Sequence, residues 1–326
     1  MTDKLWITWE KQRRSTILSE EFGAKLFILE NDSVRYIRYL SLSARTIALL
    51  IKHKPNYVFC QNPSIILAAL LCLVKPAFGY RLIVDRHTNL KLAKKYSSEP
   101  KWVVFRCISN YSLKRADYTI VTNKYLKLLC QKLTNKIFIL PDKVPEKNDL
   151  IASSQTQEPD RKTSALFICT FADDEPYQTI IEAARLAPGI TVKMTGNYKK
   201  ALSDEKISML PENVVLLGFV SDEEYFQQIQ KSSFTIVLTT NEFTLNCGSY
   251  ESLALGTPML LSDTRTIRSY FKFGALYTKV NSPQEIAQRL VDMEASLDRL
   301  RFEIQQNLPT MKHEWRNQFE SLCRTI

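Results

Sequence analysis

Asp85 and His87 lie two residues apart, directly after the apolar run at residues 81–84. A carboxylate and an imidazole placed there are both able to take a proton from an attacking hydroxyl, so either is a candidate base. Gln61 and Asn62 follow another apolar run and Glu10 follows a third, so all three are candidates for the ligand-facing edge. Glu10 could equally pair with a neighbouring arginine. Further along, Gly248 and Ser249 open a short helix that carries Glu251 about one turn in. The N–H groups and positive dipole end at such a start suit a diphosphate, and Glu251 could accept from ribose hydroxyls. An acid early in a helix is also favoured by the dipole alone. Arg13, Arg14 and Arg86 could bind an anionic group such as a phosphate. Arg13 and Arg14 also read as ordinary charge at a helix start. Asp173 and Asp174 precede a helix and read as its cap rather than as a metal-holding pair. With no ligand-like Cys/His spacing either, no metal is expected.

The elements that must position these residues are legible from periodicity. Strands are expected at residues 5–9, 25–29, 57–60, 81–84, 118–121 and 137–140. Helices alternate with them at 15–22, 34–52, 64–74, 102–113 and from 124. A second alternation places strands at 165–169, 191–194, 214–217, 234–238, 259–261 and 276–277. Its helices are expected at 177–186, after the capping start at 221–224, at 249–255, 265–271 and 283–305. Pro309 is expected to break the chain before a last helix at 311–326. Such alternation makes parallel sheets with helices on both faces. The turns that follow the strands then line the edge where ligands collect. Residues 141–163 are polar with three prolines and read as a linker. No GxGxxG is present, so a dinucleotide fingerprint is absent.

The 326 residues suit two domains, and 45% hydrophobic with 24% charged residues are globular values. The net charge of +10 is uneven: 25 Lys/Arg stand against 10 Asp/Glu through Lys143, and 19 against 24 beyond it. A basic first half implies anionic company, whether membrane headgroups, a lipid-phosphate acceptor or nucleic acid, or else an ordinary solvated surface. Arg35, Tyr36, Ile37, Arg38 and Tyr39, and Lys94, Lys95 and Tyr96, fit an interfacial helix face, while nothing matches a nucleic-acid module. The seven cysteines form no CxxC pair and read as reduced core thiols of a cytoplasmic protein. No signal peptide opens the chain, and the apolar run at 65–74 is too short to span a bilayer, so it reads as a buried helix. The expected location is the cytoplasm, with peripheral attachment to the inner face of a membrane.

Residues 234–263 resemble the donor-nucleotide site of GT-B glycosyltransferases. They contain an acidic loop, Gly-x-x-Glu at Gly248 and Glu251, and Ala-x-Gly-x-Pro from Ala254 to Pro258. Many retaining members carry two Glu residues separated by seven positions. Here eight residues lie between Glu242 and Glu251, so Asn241, Glu242 or Phe243 is expected near the sugar. Gln61, Asn62 and Pro63, an apolar helix, and then Val84, Asp85, Arg86, His87, Thr88 and Asn89 form a further pattern. It is similar to the eukaryotic β-1,4-mannosyltransferase that extends chitobiosyl-diphosphodolichol, with Thr88 standing where Asn is expected. The loop from Thr170 to Glu175 resembles that family's Ser/Thr-rich loop ending in Asp-Glu.

The resemblance implies an α/β protein of GT-B architecture, with two Rossmann-like parallel-sheet domains facing a cleft. An acceptor domain would span 1–145 and a donor domain 160–306, with a C-terminal helix at 310–326 packed back on the first. Thr170, Thr239, Asn241, Glu242, Cys247, Gly248, Ser249 and Glu251 would bind the donor. The substrate would be a UDP- or GDP-sugar, with no other cofactor. The acceptor would be a saccharide, expected to be lipid-linked. Retaining members usually hold the diphosphate with an Arg and a Lys in the loop at 170–176, and this chain has neither there. Phosphate recognition then leans on Gly248, Ser249 and the three arginines, and inversion is favoured. Two other readings stay open: a non-catalytic GT-B scaffold or partner subunit, and a nucleotide-sugar epimerase.

Overall fold

The computed structural model describes residues 3–62, 64–87, 96–151 and 162–326. Thr88, Asn89, Lys94, Lys95, the side chain of Asn62 and residues 152–161 of the expected linker lie outside the described part. The chain divides into two compact units, Met1–Lys143 with Trp315–Ile326, and Val144–Glu314.

The first unit alternates β1 (Lys4–Thr8), α1 (Arg13–Glu21), β2 (Lys25–Ile28), α2 (Arg35–His53), β3 (Tyr57–Asn62), α3 (Ile65–Phe78) and β4 (Arg81–Arg86). It continues through α4 (Pro100–Arg115), β5 (Tyr118–Val121), α5 (Lys124–Cys130) and β6 (Ile137–Ile139). The sheet is parallel, in the order β2-β1-β3-β4-β5-β6. Side chains alternate across each strand. Leu5, Ile7, Val58, Cys60, Leu82 and Val84 face one way, onto Leu42 and Leu50 of α2 and Leu67 and Leu71 of α3. Trp6, Phe59 and Ile83 face the other way, onto Leu18 and Phe22 of α1 and onto Trp315, Phe319 and Leu322. Ile7 is in register with Cys60, and Gln61 with Asp85. The strand ends thus bring Thr8, Gln61 and Asp85 side by side at the sheet's C-terminal edge.

The second unit contains α6 (Lys147–Leu150), β7 (Ser164–Phe167), α7 (Tyr177–Leu186), β8 (Thr191–Thr195), α8 (Asp204–Ser208), β9 (Val214–Gly218) and α9 (Asp222–Lys231). Then come β10 (Phe234–Val237), α10 (Cys247–Leu255), β11 (Met259–Ser262), α11 (Arg265–Tyr270), β12 (Ala275–Thr278) and α12 (Pro283–Thr325), whose residues from Trp315 onward belong to the first unit. Its sheet is also parallel, in the order β12-β11-β10-β7-β8-β9.

Three local expectations are corrected. Helix α12 runs unbroken for 43 residues with Pro309 inside it. Proline removes one helical hydrogen bond and crowds the preceding turn, at a cost of about 3 kcal/mol. Burial of Ile304 and Met311, with Leu308 packed on the same cluster, holds the helix together across it. Asp174 does not cap α7, whose N-cap position is Pro176. Only four cysteines are core thiols (Cys60, Cys72, Cys130 and Cys169), while Cys107, Cys247 and Cys323 are exposed. Among the described residues no helix is long and apolar enough to cross a membrane.

Candidate functional site

In each sheet the chain reverses its direction of travel next to the first strand. Unit 1 turns between β1 and β3, and unit 2 between β10 and β7. At such a point neighbouring loops splay apart at the C-terminal edge and leave room for a ligand. The start of α1 and Gln61 fall at the first place, with Asp85 one strand further on at the end of β4, and the loops after β7 and β10 with the start of α10 fall at the second.

In unit 1 the first turn of α1 is fastened to the sheet edge by a buried charge cluster. Arg14 donates from Nε to Asp85 Oδ2 at 2.9 Å and from Nη2 to Asp85 Oδ1 at 2.8 Å. Nη1 reaches Asp142 Oδ1 at 2.5 Å, and Nη2 also reaches the Leu140 carbonyl at 2.9 Å. Burial alone would raise the Asp85 carboxyl, which is 1% exposed. The Arg14 guanidinium and His87 outweigh that and hold it well below the usual carboxylate range. Burial likewise opposes the charge on Arg14, yet Asp85 and Asp142 raise it above its ordinary value. His87 Nδ1 lies 3.3 Å from Asp85 Oδ2, without the alignment of a hydrogen bond. Beside this cluster, Thr8 Oγ1 is 2.9 Å from Gln61 Oε1, and Ser15 donates to the same oxygen. Gln61 is buried, and its Nε2 has no partner.

The arginines therefore divide. Arg13 is exposed on the first turn of α1. Arg14 is an internal strut, with its donors spent on Asp85, Asp142 and Leu140. Arg86 points to the opposite face of the sheet from Asp85. Its Nη1 donates to Ser109 Oγ at 2.9 Å, and its Nη2 to the Ser109 carbonyl at 2.8 Å and Ser112 Oγ at 2.5 Å. Arg86 is fully buried, and burial pushes its guanidinium down to about 10, still cationic at neutral pH. The phosphate role expected for Arg14 and Arg86 is corrected to an internal one, because neither guanidinium reaches the surface. Glu10 is exposed, with Gln12 Nε2 3.5 Å from its Oε2.

In unit 2 the start of α10 stands at the switch point. Asn246 occupies its N-cap position without a side-chain bond to the helix, and Asn246 Oδ1 is buried without a partner. Gly248 allows close approach, since a Cβ there would lie 2.9 Å from Ile168 Cδ1. Ser249 and Glu251 are buried in the first turns. Tyr225 of α9 donates to Glu251 Oε2 at 2.5 Å. Sequence reading did not single out Tyr225, because its partner lies 26 positions away. Cys247 is exposed at the first helical position.

The loops after β7 and β10 are tied together by Asp174. Its Oδ2 accepts from Thr239 Oγ1 at 2.6 Å and Asn241 Nδ2 at 2.8 Å, and its carbonyl accepts from the Thr240 N–H at 2.8 Å. Thr239 and Asn241 thus serve a loop clamp. Glu242 accepts from the Thr266 N–H at 3.2 Å, in the first turn of α11. Glu175 Oε2 accepts from the N–H groups of Thr170 at 2.8 Å and Ala172 at 2.9 Å, and from Thr170 Oγ1 at 3.0 Å. Phe171, between those donors, has a positive φ of 60°. The loop thereby forms a small anion nest, and Glu175 fills it.

Residues 175–323 match the family model described as glycosyl transferase-like. No curated protein matches the chain in sequence. Among solved structures, Alr3699/HepE of Anabaena, in complex with UDP and glucose, is similar at a TM-score of 0.73 and 12% identity, covering 98% of this chain and 90% of that one. Sucrose-phosphate synthase of Thermosynechococcus elongatus is similar at 0.71 and 12% identity, with coverages of 89% and 77%. The lipopolysaccharide outer core galactosyltransferase WaaB in its apo form is similar at 0.64 and 13% identity, with coverages of 97% and 98%. The fold is α/β of the GT-B type, built from two parallel-sheet units.

Proposed function

We propose that this protein is a glycosyltransferase that moves a hexosyl group from a UDP- or GDP-sugar to a saccharide acceptor, expected to be lipid-linked. The observation that carries this reading is the start of α10. It is uncapped by any side chain, lies at the switch point of its sheet, and has Glu251 held by Tyr225 one turn in. Backbone N–H groups near Gly248 and Ser249 would bind the donor diphosphate, and Glu251 would accept from the ribose. The bound UDP of the Anabaena protein supports the same assignment for this chain.

The acceptor side belongs to unit 1. Asp85 is buried with both oxygens engaged, so it acts as the orienting group and His87 is the base. With Nδ1–H beside Asp85, His87 Nε2 keeps its lone pair and takes the acceptor proton. The acceptor oxygen then bonds to the anomeric carbon as the bond from that carbon to the diphosphate oxygen breaks. Inversion follows from this single displacement. The helix start meets the charge left on the diphosphate, so the scheme requires no metal. The pairing of Gln61 with the Asp85 and His87 turn supports an acceptor arrangement like that of the β-mannosyltransferases. We place the reaction in the cytoplasm, in glycoconjugate or polysaccharide synthesis.

Thermal-shift titration with UDP, GDP and dTDP tests the donor site, because a ligand bound only by the folded state raises its stability. One of them is expected to stabilise the protein and to lose that effect in Glu251→Ala. His87→Ala is expected to keep this binding while transfer falls by about 10²- to 10⁴-fold. Full transfer by His87→Ala would refute the base assignment, and no shift with any nucleotide would refute the donor site.

A second reading has one observation in its favour. Glu175 fills the backbone nest of the loop at 170–172, the kind of nest that suits an anionic ligand. A GT-B subunit that binds a nucleotide without turnover would look like this. Nucleotide binding with neither transfer nor donor hydrolysis would select it.

A further inference from the structure

Helices α2, α3 and α4 pack side by side over the same flank of unit 1, α2 against α3 and α3 against α4. Together they carry nine Lys/Arg residues and no carboxylate. That composition is not forced by the fold, since α1 at the other face contains both signs. Helix α2 also has two apolar stripes rather than one. Leu42 and Leu50 are buried against the sheet. Tyr36, Ile37, Leu40, Ala44, Ala48 and Ile51 form a second stripe that is exposed along the helix. Tyr36 is 81% exposed and Leu40 74%. Leu73 of α3 and Val104 of α4 are exposed apolar residues as well. Arg35 and Arg38 lie against the Tyr39 ring, and Arg45 reaches the Glu30 carbonyl. Lys75 and Lys101 pair with Asp117 and Glu99, which lie outside the three helices.

We propose that this face docks on an anionic lipid surface, with α2 lying in the plane of the headgroups. A helix that shows a continuous apolar stripe flanked by arginines, with no acid along about 28 Å, is built for that boundary. The apolar side chains enter the acyl edge while the arginines meet lipid phosphates. Charge selects this occupant over a second copy of the chain, because self-association would bring Arg35, Arg38 and Arg45 against their own kind. Docking is independent of the chemistry proposed for the site, and it accounts for the basic excess of the first half of the chain.

Co-sedimentation of the full chain with vesicles, without donor or acceptor, tests this. Binding is expected to vesicles containing about 30% phosphatidylglycerol and not to pure phosphatidylcholine, and to weaken as salt rises from about 0.1 M to about 0.5 M. Arg35→Gln with Arg38→Gln, and separately Tyr36→Ser with Leu40→Ser, are each expected to lower partitioning by about tenfold or more. Phe302→Ser, at an exposed position of α12 in the other unit, serves as the control and is expected to bind as the parent does. Equal behaviour on the two vesicle types, or parental binding by both double variants, would overturn the proposal. So would a concentration-dependent dimer in sedimentation velocity that the Tyr36 and Leu40 substitutions dissolve. Failure of UDP binding leaves this proposal standing, and failure of vesicle binding leaves the transferase reading standing.

Discussion

Arg14 shows how one side chain sets the character of a whole cluster. It neutralises Asp85 and Asp142 and pins the first turn of α1 to the sheet edge. Removing it strands a buried carboxylate, so Arg14→Ala is expected to cost about 3–5 kcal/mol in urea unfolding. Arg14→Leu combined with Asp85→Leu should recover much of that loss, since no unpaired charge remains. Asp85 also gives a pH signature. Its carboxyl is depressed in the folded state, so its contribution is fully present above the unfolded value of about 4 and is lost as pH falls below it. Asp85→Asn is therefore expected to show a flatter loss of stability below about pH 4 than the parent, read by acid titration of the unfolding midpoint. A parental slope in that variant would assign the acid sensitivity to other groups. At Glu251 the same scale governs binding. Tyr225→Phe removes one charge-assisted hydrogen bond and is expected to weaken nucleotide binding by about tenfold, measured by calorimetry.

Among the elements, the loops after β7 and β8 depend on a close backbone approach. Gly196 has φ +96°, and a Cβ there would collide with the Cys169 carbonyl oxygen. Both the dihedral and the clash exclude an L side chain. Gly196→Ala is expected to cost about 2 kcal/mol or more in urea unfolding and to disturb the loop that carries Thr170. Helix α12 offers the opposite case. Pro309 removes a helical hydrogen bond where packing around Ile304 and Met311 keeps the helix continuous. Pro309→Ala restores the N–H donor and is expected to raise the unfolding free energy by about 1–3 kcal/mol after the gain in unfolded-chain freedom is subtracted, and the urea midpoint with it. A lower midpoint would mean that the proline's ring itself fills space in the packing.

Across the whole molecule, charge and binding divide between the units. The donor groups of the proposed site lie in Val144–Glu314, and the basic excess lies in Met1–Lys143. Nucleotide at about a hundred times its Kd would add about 2.7 kcal/mol to the unit that binds it. Hydrogen exchange is expected to show that protection concentrated in the loops after β7 and β10 and the first turn of α10. Protection confined to unit 1 would put the nucleotide elsewhere.

The amino-acid sequence by itself determined the two strand–helix alternations, because short apolar runs and amphipathic helical patterns are local properties of the chain. It also determined which turns follow strands, and hence placed Asp85, His87, Gln61 and the start of α10 at sheet edges. The basic first half was equally plain from counting charges. Tertiary structure alone decided which charges are spent. Arg14 meets Asp85 across 71 positions and Asp142 across 128, while Arg86, one residue from Asp85, is buried on the opposite face. Tyr225 meets Glu251, and Asp174 meets Thr239, only because the strands that precede their loops are brought together at the edge of one sheet. Local pattern fixes where a side chain leaves the backbone. Only packing between distant segments fixes what it then touches, and whether a charge remains for a ligand.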